Sequence, residues 1–203
     1  VSANQPINHS ATEFVASWQR STVANIDGYL LSVWRKEMPD KEESGTITCD
    51  FESINVKADG QSIETDFPNY PRGWDIDVSS HGTKDMCTTK GDYKSGKQAI
   101  NFDAEGDYIL SPVTKAPIHK LSFWVKPSSM ATEEYDFSLV GVHVKNTLGN
   151  WEHIANIPNY WMQANGGIYT LEGDEIGNYV TQVKLTCESS FGITFAIDDI
   201  TLE

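Results

Sequence analysis

A period-two alternation of apolar and polar residues runs through most of this chain, and no stretch carries the 3.6-residue period of an amphipathic helix. A chain patterned in this way buries one face of each extended segment, so it must fold as sheets packed face to face or closed on themselves. The clearest strands fall at residues 46–51, 98–102, 108–110, 119–126, 137–145, 151–157, 179–186 and 192–202. Turn dipeptides at Gly106-Asp107, Gly149-Asn150, Gly166-Gly167 and Gly177-Asn178 separate several of them. Many short strands with turn signals predict a β-sandwich or jelly roll of about eight to ten strands.

Two regions stand apart. Near the start, residues 13–18 alternate, Asp27-Gly28 makes a turn, and residues 29–34 form a second strand. The charged segment 35–44, which contains Pro39, then reads as a solvated linker or long loop. The second region, residues 53–97, is polar and rich in Gly and Pro, and only residues 74–78 look strand-like there. A loop-rich stretch of that length is either functional or wrapped over a core.

Charge narrows the partners. With 29 acidic against 15 basic residues the net charge is -14, and that field repels phosphate backbones and anionic membrane surfaces. The same excess suits Ca²⁺ binding or simple solubility. No apolar run has the length of a membrane span. Cys49, Cys87 and Cys187 lack the C-x-x-C spacing of a structural zinc site; one disulfide with a free thiol, or no disulfide, are both open.

Two resemblances emerge from local motifs. Phe14-Val15-Ala16-Ser17-Trp18, followed by Gly28-Tyr29-Leu30-Leu31-Ser32-Val33, resembles the first half of a fibronectin type III domain. Residues 1–44 are therefore expected to hold a β-hairpin from a partial domain of that type, which is either truncated or, the favoured reading, resumes beyond Glu203 after an inserted domain. The hairpin is expected to pack on the following domain or on another chain. Residues 45–203 resemble a galactose-binding-like jelly roll, close to MAM domains and carbohydrate-binding modules. The resemblance rests on Cys49-Asp50-Phe51-Glu52, Gly73-Trp74, Ser95-Gly96-Lys97-Gln98-Ala99-Ile100-Asn101-Phe102, Leu110-Ser111-Pro112, Leu121-Ser122-Phe123-Trp124-Val125 and Ala196-Ile197-Asp198-Asp199-Ile200. The usual MAM cysteine pairing is not reproduced.

The resemblance implies a metal. Asp50 and Glu52 share one face of a strand, and Asp198 and Asp199 lie on the final strand. Domains of this type place first and last strands side by side, and Glu52 and Asp198 are then expected to ligate a structural Ca²⁺ with help from backbone carbonyls. The alternative is that these acids cap loops or face water, or that sodium or water takes the same place.

Aromatic residues suggest a second site. Sugar rings stack their C–H faces on exposed aromatic planes. Tyr160 and Trp161 stand among amides, with Gln163, Tyr169 and Trp151 close in sequence. Asp66-Phe67-Pro68-Asn69-Tyr70-Pro71-Arg72-Gly73-Trp74 offers another set. Each aromatic can equally pack beneath a long loop, and Trp18, Trp74 and Trp124 are expected in the core. No catalytic signature is present. G-x-S-x-G and H-E-x-x-H are absent, Glu133-Glu134 and Asp174-Glu175 read as solvated, and His143 and His153 face each other only if a hairpin joins them.

The expected function is a non-catalytic carbohydrate-binding accessory module of a secreted or cell-surface bacterial protein involved in glycan use, with polysaccharide or glycan as partner and a neighbouring domain in a longer parent chain. Cell-surface adhesion and protein interaction, or a structural spacer beside a catalytic domain, are the alternatives.

Overall fold

A computed structural model describes residues 45–64, 70–79, 82–130 and 138–203, all within the compact unit Pro39–Glu203. The fibronectin-like segment 1–44, the aromatic loop at 66–69, His81 and the pair Glu133-Glu134 lie outside the described residues.

The fold is an all-β jelly-roll sandwich of two antiparallel sheets, with no α-helix among the described residues. Its strands are β1 (Ile47–Cys49), β2 (Asp75–Asp77), β3 (Met86–Cys87), β4 (Ala99–Phe102), β5 (Tyr108–Leu110), β6 (Lys120–Pro127), β7 (Leu139–Asn146), β8 (Trp151–Pro158), β9 (Gly167–Glu172), β10 (Val180–Ser189) and β11 (Phe195–Leu202). That is more than the eight to ten expected. The additions are β3, too short to show a period, and β9, whose alternation sits in a segment dominated by aromatics and amides.

One sheet runs β3-β4-β11-β6-β9, with β1 also on β11; the other runs β2-β5-β10-β7-β8. On one flank of β11, β4 pairs with Phe195–Ile197 and β1 with Ile200–Leu202. The first and last strands are thus neighbours. The register breaks at Asp198 and Asp199, where Asp199 has φ 47°. This bulge inserts one residue, so Phe195, Ile197, Ile200 and Leu202 all reach the core from one strand.

The core between the sheets follows from the alternation. Phe51, Phe102, Phe123 and Phe195 are wholly enclosed, with Ile109 and Leu185 facing them from the second sheet. Trp74 joins this core, as expected. Trp124 is buried as well, but it belongs to a separate small cluster with Cys87, Ala99, Ala196 and Tyr93. Its neighbours Phe123 and Val125 point inward, so Trp124 lies on the opposite face of its sheet. All three cysteines are buried thiols without a disulfide.

Candidate ligand-binding surface

The outer face of the five-stranded sheet follows from its register. Val142, Val144, Leu185, Ile109 and Ile76 are buried inward, so their immediate neighbours point out. One row across the sheet pairs Trp151 with Lys145. The next joins His153, His143, Lys184, Leu110 and Asp75. A third joins Asn156, Gly141, Thr186, Tyr108 and Asp77.

These side chains contact one another in pairs. The Lys145 ammonium lies 5.5 Å from the centre of the Trp151 ring, and Lys184 lies 4.4 Å from that of Tyr108. Both are cation–π distances. Tyr108 donates its hydroxyl to Asp75 Oδ2 at 3.1 Å. Burial, then the hydrogen bond and charge of Asp75, raise its phenol above the usual range. His143 and His153 face each other with rings 4.8 Å apart. His143 Nε2 sits 2.5 Å from Glu188 Oε1, and Thr186 donates its hydroxyl to that oxygen. His153 Nε2 donates to Asn156 Oδ1 at 2.9 Å. Trp151 is 42% exposed, which leaves ring surface for a ligand.

The sugar-site residues expected from sequence divide into two groups. Tyr160 and Trp161 occupy a 3-10 turn, Asn159–Trp161, that leaves the end of β8. Both rings face solvent, at 43% and 65% exposure, and they meet edge to face with centres 5.8 Å apart. Buried Asn159 and Met162 pin the turn on either side. Tyr169 is half-buried, stacked on Phe123 at 6.2 Å, and donates its hydroxyl to the Trp161 carbonyl. It props the turn, and Gln163 accepts the Gly166 N–H through its backbone carbonyl. Trp151 sits at the far end of β8, about 23 Å away at the usual rise per residue. It belongs with the sheet face. Tyr108, His143, Lys184 and Glu188 complete that face, and the sequence reading did not assign them to a site. The alternation of β5, β7 and β10 carried the signal, but only the pairing of those strands brings it together.

The acids expected to hold a cation bracket one loop. Glu52 Oε1 accepts the Lys97 and Gln98 N–H groups at 2.9 and 3.1 Å. Asp198 Oδ2 accepts those of Lys94 and Ser95 at 2.8 and 3.1 Å, and its Oδ1 accepts the Asp199 N–H. The loop passes so close that a Cβ at Gly96 would lie 2.2 Å from the Glu52 carboxyl carbon. Asp199 accepts the Ser95 hydroxyl, Asp50 caps the Glu52 N–H, and both line a recess with Ser95. Asp198 is fully buried. Burial pushes its carboxyl up to about 6, against the pull of the Ser95, Lys94 and Asp199 N–H groups. Both Asp198 oxygens are thus satisfied by backbone N–H groups, while Glu52 Oε2 accepts nothing among the described residues.

No helix among the described residues is long and apolar enough to cross a membrane. No family model matches the chain, and no curated protein matches it. Solved structures do. The K2 cleaved adhesin domain of Lys-gingipain superposes with a TM-score of 0.51 at 12% identity, over 79% of this chain and 99% of that one. A family 61 carbohydrate-binding module in complex with β-1,4-galactotriose gives a TM-score of 0.46 at 14% identity, over 65% and 88%. A family 29 carbohydrate-binding module gives 0.42 at 13% identity, over 66% and 80%. At 12% identity, the likeness to the K2 domain is one of fold.

Proposed function

We propose that the domain binds carbohydrate and does not transform it, using the outer face of the five-stranded sheet. One observation carries this reading. Trp151 exposes ring surface beside a row of hydrogen-bonding groups, His153, His143, Lys184 and Asp75, on an open strand surface. A sugar needs both parts: a flat apolar plane for its C–H face, and fixed donors and acceptors for its hydroxyls. A secreted or surface setting, as an accessory to a larger glycan-handling protein, belongs to the same proposal.

Tyr160 and Trp161 form a second candidate platform, favoured by their exposure and by the pinned turn that presents them. Ca²⁺ at Glu52 and Asp198 would be structural. It would join the first strand region, the 94–98 loop and the last strand. Protein adhesion is the rival reading, favoured by Leu148 and Tyr179, which are 80% and 66% exposed. Their segments are tied by the Thr147 N–H donating to the Tyr179 carbonyl.

Affinity electrophoresis against a panel of soluble polysaccharides tests the reading. Retardation that Trp151→Ala abolishes and Trp161→Ala preserves supports the sheet face. The converse moves the site to the turn. No retardation by any glycan, with a folded sample, turns the reading to adhesion.

A further inference from the structure

We infer that His143, His153 and Glu188 form a binding site for one divalent transition-metal ion of the zinc class. The nitrogen and oxygen donors of these three residues all lie within 4.8 Å of one another, on the adjacent strands β7, β8 and β10. Two imidazoles and a carboxylate make a donor set suited to zinc, whereas Ca²⁺ prefers oxygens alone. The site is therefore chemically distinct from the one at Glu52 and Asp198, and it stands whether or not a glycan binds.

Its supports are already in place. Glu188 reaches His143 by lying across Gly141, and any side chain at 141 would occupy the space of the carboxylate. Thr186 fixes one carboxylate oxygen. His153 donates Nε2–H to Asn156, which sets the tautomer and leaves the Nδ1 lone pair for a ligand. The two lysines beside the cluster aim elsewhere: Lys184 lies over Tyr108 and Lys145 over Trp151. Metal–ligand bonds of about 2.1 Å put tetrahedral ligand atoms roughly 3.4 Å apart. Reaching that spacing moves the His143 Nε2–Glu188 Oε1 pair apart from 2.5 Å and draws in donors that lie up to 4.8 Å apart, by rotation of side chains on the sheet's outer face. The remaining coordination position then points to solvent, open to water or to a ligand oxygen.

Calorimetric titration of Zn²⁺ into the chelator-stripped, reduced full chain near pH 7.5 tests this. One equivalent should bind with micromolar affinity, and Ca²⁺ should not compete. His143→Ala, His153→Ala and Glu188→Gln should each weaken binding at least tenfold, while His119→Ala leaves it unchanged. If a variant unfolds, histidine proton spectra of the unmodified protein decide: the His143 and His153 resonances must move on Zn²⁺ addition. Absence of saturable binding overturns the inference. So does binding that survives the His153→Ala, Glu188→Gln double variant, or that follows His9, His81 or His119. In those cases His143 and Glu188 are a hydrogen-bonded pair and nothing more.

Discussion

Gly141 and Glu188 are fitted to each other across β7 and β10: a Cβ added at Gly141 would stand 2.4 Å from Glu188 Oε1 and 2.5 Å from its Cγ. Gly141 lies in an ordinary strand, so alanine there adds no backbone strain. The Glu188 side chain must instead swing away, which breaks its contact with His143. Gly141→Ala is expected to keep the fold, change stability by about 1 kcal/mol, and abolish the His143–Glu188 interaction. Thermal melting and the His143 ring resonances in NMR check both parts.

Asp198 gives a pH dependence of defined sign. Its folded carboxyl titrates near 6, above the unfolded 3.8. The folded state therefore holds the proton more tightly, and stability from this group falls as pH rises from about 4 through about 6. A cation at this site would replace the proton. Melting temperature measured from pH 4 to 7 should show the fall with chelator present and lose it with Ca²⁺ added. A fall that Ca²⁺ leaves untouched would remove the metal and retain the buried carboxyl.

Trp151→Ala and Trp161→Ala remove exposed rings, and each is expected to shift stability by no more than about 0.5 kcal/mol. Any large change in glycan retention is then a change in binding. Urea denaturation beside the electrophoresis separates the two effects.

Gly166 has φ 82°, and a Cβ there would lie 2.1 Å from the Trp124 ring. Gly166→Ala thus meets both a left-handed backbone and a rigid indole. A loss of about 2–4 kcal/mol is expected, visible as a lower urea midpoint.

The thiols should be inert. Burial pushes Cys49 and Cys187 up to about 12 and Cys87 to about 11. Ellman's reagent at pH 8 should label none of them in the native protein and all three once unfolded. Reductant should leave the melting temperature unchanged.

The long strands were legible because each carries several periods of alternation bounded by turns. β6, β7, β8 and β10 begin within two residues of where the sequence places them. β3 has two residues and no period to read. β9 does alternate, with Tyr169 and Leu171 half-buried against the core and Ile168 and Thr170 exposed, but Tyr169 and the Gly166-Gly167 turn before it suggest a binding loop as readily as a strand. The site was legible only in part for a related reason. His143 and His153 are near in sequence and fall opposite each other across a hairpin. Glu188 joins them only through the pairing of β10 with β7, which neither strand's own pattern specifies.

β11 is the last strand of the described domain, yet it occupies an interior position, with β6 on one flank and β4 and β1 on the other. A polypeptide emerging from the ribosome must therefore carry β1, β4 and β6 with open edges until residues 195–202 arrive. Loop 94–98 is likewise without the Asp198 half of its clamp until then. Assembly of this sheet waits for residues 195–202 and is governed by contacts between distant parts of the chain. The exposed intermediate is where a chaperone, or an aggregate, would find its opening.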